Sequence, residues 1–198
     1  MSGKDVKFQE DYKYGFRDKD TSIIKTGIGL NEDIVRQISK LKGEPEWMLE
    51  YRLKSFRAFQ KMPMPDYGPD LSLLDFDSYT YFTRMANGET KNWDEVPETV
   101  KKTFQKLGIP EAERKSLAGV GAQYDSELVY HNVQEEVAKQ GVIYLGFEEA
   151  LKSPEWGPMV KEYFMTLITP RDHKFAALHG AVWSGGSFVY VPKGVKLE

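Results

Sequence analysis

Leu41-Lys42-Gly43-Glu44-Pro45-Glu46-Trp47-Met48-Leu49-Glu50-Tyr51-Arg52-Leu53-Lys54-Ser55-Phe56-Arg57-Ala58-Phe59-Gln60-Lys61-Met62-Pro63-Met64-Pro65 carries its own helix punctuation. Gly43 offers a stop, Pro45 suits a first helical position, and Pro63 and Pro65 must end what Pro45 begins. Between them Leu49, Leu53, Phe56 and Phe59 recur at helical spacing and Trp47 and Tyr51 widen the stripe, which predicts an amphipathic helix facing a core. On the N-terminal side, Asn31 reads as an N-cap, with Glu32 and Asp33 in the first turn. Ile34, Ile38 and Leu41 then predict a short helix that runs to Gly43.

Residues 1–30 are mixed in charge, lack an apolar period and contain Gly15, Gly27 and Gly29, so they read as an extended or partly ordered arm. Met62 to Pro69 is a Pro-rich surface loop, and the alternation at Tyr79 to Phe82 suggests a short strand. Pro97 opens a helix with Val100, Phe104 and Leu107 on its buried face, stopped by Gly108 ahead of Pro110. Leu117 to Tyr124 reads as a Gly-rich turn. From Ser126 to Lys139 the valines at 129, 133 and 137 repeat every fourth residue and predict a helix. Val142 to Leu145 is a short β-rich run; Phe147 to Leu151 and Pro158 to Leu167 return to helical patterning around Trp156. After Pro170, Ala176, Ala177, Gly180, Ala181, Gly185 and Gly186 argue against helix. Strands are expected from there on, with Tyr190 to Val195 as strand, tight turn, strand.

The chain has 198 residues, 40% of them hydrophobic, 13% aromatic and 29% charged, which is the composition of a folded protein and leaves one domain or two open. A formal net charge of −3 with bases and acids interleaved provides no positive field for phosphates, so nucleic acid is not expected as a partner. No apolar run approaches a membrane span and Met1 to Glu10 is too polar for a signal peptide, so the cytoplasm is the expected compartment. There is no cysteine, which removes disulfides, thiolate metal sites, a cysteine nucleophile and cysteine-held iron-sulfur clusters from this chain.

Several strings resemble the SufB/SufD family, and the SufB-type scaffold subunit of the SUF iron-sulfur cluster assembly system in particular. They are Ile38 to Met48, Arg52-Leu53, Lys61 to Pro65, Leu107 to Glu113, Gly119 to Glu127, Lys139 to Ile143, Lys174 to Leu178, Trp183 to Phe188 and Val191 to Val195. They run in order from about residue 31 to the end. The resemblance implies an α+β architecture: a mainly helical N-terminal domain, 31–165 after the arm at 1–30, then at 166–198 the first strands of a right-handed parallel β-helix that is truncated here. It also implies a non-enzymatic scaffold working with the SUF ATPase subunit, a SufD-like or SufB-like subunit and persulfide donor proteins. The family's cysteines and associated acids and histidines belong to parts beyond Glu198, so the iron-sulfur cluster is implied for the full-length family and no cofactor for this chain. A solenoid buries its face by stacking about three or more rungs, so the last thirty or so positions are expected to be poorly ordered or to seek a partner. Tyr67 stands where tryptophan is common in the family, and His173 and His179 where asparagine is common.

No residue is assigned a catalytic, cofactor-binding or metal role. His173 and His179 with Asp172 form a weak metal constellation, because a spacing of six fits no shared helix face, and they read as surface or turn residues. His131 and Glu135 would share a helix face at i, i+4, yet no second histidine completes a metal motif. Gly27-Ile28-Gly29 and Gly119-Val120-Gly121 lack the context of a phosphate loop, and Ser184-Gly185-Gly186-Ser187 reads as a tight turn. Asp125 or Ser126 would cap the helix expected at 126–139. The leading expectation is a scaffold fragment with an architectural role. A stand-alone binding module or regulator of the SUF complex is the alternative, and a metal-dependent hydrolase using His131 ranks far below both.

Overall fold

The computed structural model describes residues 22–84, 93–107, 119–124, 126–133 and 135–196. The expected arm up to residue 21, the stop at Gly108 with Pro110, the start of the turn at Leu117 and the cap at Asp125 lie outside them. The chain enters through β1 (Ile24–Lys25), which pairs antiparallel with β2 (Thr83–Arg84). Between them come α1 (Glu32–Lys42) and α2 (Glu46–Lys61). Their boundaries follow the local punctuation: the Asn31 side chain accepts the Ile34 N–H at 2.9 Å, and Gly43 closes α1 at φ +61°. Such a cap contributes about 1 kcal/mol. Pro45 sits one position earlier than expected, as the N-cap of α2, and the chain leaves α2 at Met62 in extended conformation.

Beyond β2 come α3 (Glu98–Lys106), β3 (Gly119–Tyr124), β4 (Glu127–Val133) and the single turn α4 (Glu135–Ala138). β3 and β4 form an antiparallel hairpin with a bulge between Ala122 and Gln123. The helix expected over Ser126 to Lys139 is therefore corrected to strand over Glu127–Val133, half of its length, with only Glu135–Ala138 helical, and part of the Gly-rich turn is strand β3. Leu128 and Tyr130 are buried, a period of two that competes with the fourfold valine spacing. Tyr130 packs with Val96, Val100, Trp93 and Phe104 in a satellite cluster on α3, while Leu107, expected on the buried face, is exposed.

The remaining elements are β5 (Ile143–Gly146), α5 (Phe147–Lys152), α6 (Gly157–Tyr163), α7 (Lys174–Val182) and β6 (Ser187–Tyr190). β6 pairs antiparallel with β5, Gly146 opposite Ser187. The reading of 174–182 as helix-poor is corrected, and the physical reason is the contact with α2. Ala177 and Ala181 pack with Val35, Leu53, Phe56 and Phe59, and a Cβ at Gly180 would lie 2.6 Å from Ser55 Oγ. The small residues bring two helix backbones together, and that packing outweighs low helix propensity. A second cluster joins Met48 of α2 to Ala150, Leu151, Val160 and Trp183. The final stretch, expected to be poorly ordered or to seek a partner, packs in part on α2: Ala177 and Ala181 are fully buried and Trp183 nearly so. α6 ends at Tyr163, short of the expected Leu167, which is exposed.

Gly180→Val should destabilise the protein by about 1–3 kcal/mol through overpacking against Ser55, although valine is no worse a helix former than glycine. Urea denaturation monitored by tryptophan fluorescence measures it; an unchanged midpoint would contradict the close α2–α7 approach.

Candidate functional site

The polar centre of the structure lies where α1, α2, α5 and the end of α7 meet. Arg52 takes a position on the buried face of α2, one turn after Met48, and its side chain is fully buried together with that of Glu44. Its Nε donates to Glu44 Oε2 at 2.7 Å and its Nη2 to Glu44 Oε1 at 2.5 Å. The same guanidinium donates to the Ala181 carbonyl and the Trp183 carbonyl, each at 3.0 Å, and its carbon stands 4.5 Å from the Trp183 ring centre. One side chain therefore joins the α1–α2 turn to the last carbonyls of α7.

Lys42, the last residue of α1, is buried beside it. Its ammonium donates to Glu148 on α5 and lies 5.5 Å from the ring centres of both Phe82 and Trp183. Glu148 Oε1 also accepts the Gly185 N–H at 3.0 Å, which fixes the turn between α7 and β6. That turn needs glycine: Gly185 has φ +67° and Gly186 φ +118°, and a Cβ at Gly185 would fall 2.4 Å from Gln123 Oε1. The tight-turn reading of Ser184 to Ser187 holds only for the backbone of its glycines: no hydrogen-bonded turn spans Ser184 to Gly186, and Ser187 already opens β6.

Burial pushes the Glu148 carboxyl up, but the adjacent Lys42 ammonium and the Gly185 N–H outweigh it and hold the group below its ordinary value. Burial lowers Lys42, opposed by Glu148. Arg84 and Glu127 form a bidentate pair next to this cluster, at 2.6 and 2.7 Å, and Arg84 also donates to the Leu41 carbonyl. Between the two pairs opens a cleft of about 730 Å³, where Lys42, Arg84 and Lys152 face Glu127, Glu148 and Glu149. Its charges balance. The donors of Arg52 and Lys42 are directed at protein acceptors, so the arrangement is suited to joining elements.

His173 and His179 sit at opposite ends of α7. His173 caps α7, its Nδ1 accepting the Ala176 N–H at 3.2 Å, and His179 is an exposed residue in the last turn of α7. His131 lies on β4 opposite Gly121, while Glu135 begins α4, so the shared helix face expected of them is corrected. Ser126 caps no helix: it sits in the hairpin turn and its Oγ accepts the Thr83 N–H at 3.0 Å. Gly119 to Gly121 is strand, and Ile28 is bridged to Thr80. Among the described residues no group of three or more His, Asp or Glu could hold a metal ion, and no helix is long and apolar enough to cross a membrane. Sequence reasoning missed Arg52 and Lys42. The available signal was a cation inside an apolar stripe, with Arg52 between Leu49 and Phe56 and Lys42 four residues after Ile38.

Comparison with known proteins gives the pattern a family setting. The chain is 56% identical over 188 residues to an iron-sulfur cluster assembly SufBD family protein of Staphylococcus haemolyticus, covering 95% of this chain and 40% of that protein. The chain is SufBD-like. It matches the SufBD family protein of Staphylococcus saprophyticus at 56% over 187 residues, 94% of this chain and 40% of that one. A SufBD family protein of Staphylococcus aureus is 55% identical over 188 residues, with 95% and 40% covered. The SufBD-like chain spans about two fifths of the length of these relatives. No family model matches it.

Two outcomes follow from the charged cluster. Arg52→Leu leaves Glu44 buried and uncompensated and should cost about 3–5 kcal/mol in urea denaturation, against near-neutral behaviour if the pair were solvated. Glu148 binds its proton less readily folded than unfolded, so its contribution is present above the unfolded value of about 4.3 and is lost as pH falls through the lower folded value. Glu148→Gln should flatten that part of the acid-stability profile. Parallel wild-type and variant profiles would contradict the ion-pair assignment.

Proposed function

We propose that this chain is a piece of a SufBD family protein acting in iron-sulfur cluster assembly, and more narrowly the opening portion of a SufB-type scaffold subunit. The observation that carries the reading is identity of 55–56% across about 95% of the chain with proteins named for that assembly role. Its contribution would be architectural and non-enzymatic, in a soluble cytoplasmic complex. The packed α1–α2–α7 unit would precede a right-handed parallel β-helix and support it. The cluster, the SUF ATPase subunit, a SufD-like or SufB-like subunit and the persulfide donor would engage other regions of the full-length protein.

Two features support this division of labour. The chain contains no cysteine, so it has no thiolate with which to retain iron and sulfide. Its buried charges, Arg52 with Glu44 and Lys42 with Glu148, are directed at one another and at backbone groups of α7 and the turn after it. A stand-alone binding module remains the second reading, favoured by the burial of α7 against α2, which gives the chain an internal core of its own.

Anaerobic incubation of this chain with ferrous iron and sulfide should leave no stoichiometric cluster after desalting; stable visible cluster absorbance would sink the division of labour. In the full-length protein, Arg52→Leu should lower the yield of assembled complex and iron-sulfur enzyme activity in proportion. Loss of cluster formation per assembled complex would assign this region to the chemistry. Immunoblotting of source-cell extract separates the two readings, since a native species well above 22.7 kDa supports the subunit and one of that mass the module.

A further inference from the structure

Residues 66–80 present apolar side chains to solvent in an acidic setting. Leu73 is 94% exposed, Tyr67 65% and Tyr79 45%, and Ile28, bridged through its backbone to Thr80, is 73% exposed. Asp66, Asp70, Asp75 and Asp77 are all exposed in the same stretch, and no lysine, arginine or histidine occurs from Met62 to Thr83. Isolated exposed apolar residues need no explanation; a run of them on one ordered segment does.

The segment is held from below. Phe76 packs edge-on against Phe59 of α2 with centroids 5.0 Å apart, the Tyr81 hydroxyl donates to the Phe76 carbonyl at 2.6 Å, and the Gly29 N–H donates to the Tyr79 carbonyl at 2.9 Å. Lys174, whose ammonium lies 5.9 Å from the Phe76 ring centre, gives it to the Phe59 and Met62 carbonyls at 2.8 and 2.9 Å. Burial first, then the charges of Asp77, Tyr79 and Asp75, push the Tyr81 phenol up to about 12. Water covers Leu73 at a hydrophobic cost, while the exposed carboxylates of the same segment repel an acidic surface and attract a basic one.

We propose that residues 66–80, together with Ile28, form a docking surface for a basic amphipathic segment of another protein. Apolar side chains of that segment seat on Leu73, Leu74 and Tyr79, and its lysines or arginines face Asp66, Asp70 and Asp77. The carboxylates would set the encounter rate and the choice of partner, and the apolar contact its lifetime. The inference needs neither iron nor sulfide, so its failure is distinct from failure of the assembly reading.

The test uses the 198-residue chain and two synthetic helical peptides, one of leucine and lysine and one of leucine and glutamate in the same pattern, with binding read by fluorescence anisotropy. The basic peptide should bind and lose affinity with salt, and the acidic one should not bind. Leu73→Ser with Leu74→Ser should weaken binding about tenfold or more, as should Asp66→Asn with Asp70→Asn and Asp77→Asn, the latter also reducing the salt dependence. Leu167→Ser, an equally exposed leucine between α6 and α7, should change nothing. Circular dichroism confirms that the variants fold, as substitutions at exposed positions should allow. Equal binding of both peptides, or indifference to the Leu73 and aspartate variants, overturns the proposal. Self-association that depends on Leu73, seen by sedimentation without peptide, overturns it in favour of a second copy of the chain.

Discussion

Burying a guanidinium demands that nearly every N–H find an acceptor, and Arg52 meets the demand with three residues from two places in the sequence. Glu44 supplies two carboxylate oxygens from the α1–α2 turn, and Ala181 and Trp183 supply carbonyls from the end of α7. The geometry leaves little choice about how these segments meet, because a displaced α7 would strand a charge in a low-dielectric interior. Lys42 repeats the arrangement one helix away, through Glu148 to the Gly185 N–H. Apolar burial supplies the bulk of the stabilisation, and these two cations make a displaced α5 or α7 costly.

What could be read in the sequence was local. Asn31, Gly43, Pro45 and Pro63 act on the backbone within a residue or two of themselves, and α1 and α2 begin and end where those residues require, within one position. The positive φ at Gly185 and Gly186 is equally local, since it is a property of single residues. The hairpin β3–β4 was not legible, because its valines fit a period of four while Leu128 and Tyr130 fit a period of two. Pairing with Gly119–Tyr124 decides between them, and pairing has no signature in either strand alone.

The α7 segment shows the same limit from the other direction. Ala176, Ala177, Gly180 and Ala181 are poor evidence for a helix and good evidence for a surface that another helix must approach closely, but only the presence of Ser55 across the gap reveals which is meant. The charged centre of the candidate site was hidden for a related reason. Arg52 and Lys42 were visible as charges at apolar positions of their stripes, yet their partners Glu148 and the carbonyls of Ala181 and Trp183 lie about a hundred or more residues away. Family resemblance did reach the iron-sulfur assembly setting, through strings such as Trp183 to Phe188 that cluster around these same buried contacts.

The separation between Arg52 and its acceptors also has a meaning in time. A bond spanning 131 residues cannot form on a growing polypeptide until the distal segment has been made. At roughly 5–20 residues per second, ribosomal elongation leaves α1 and α2 waiting on the order of ten seconds with Arg52 and the Phe56–Phe59 stripe uncovered. Topologies dominated by such distant contacts also fold slowly once complete. The apolar stripe of the nascent helical pair therefore stays uncovered until Ala177 to Trp183 have been made.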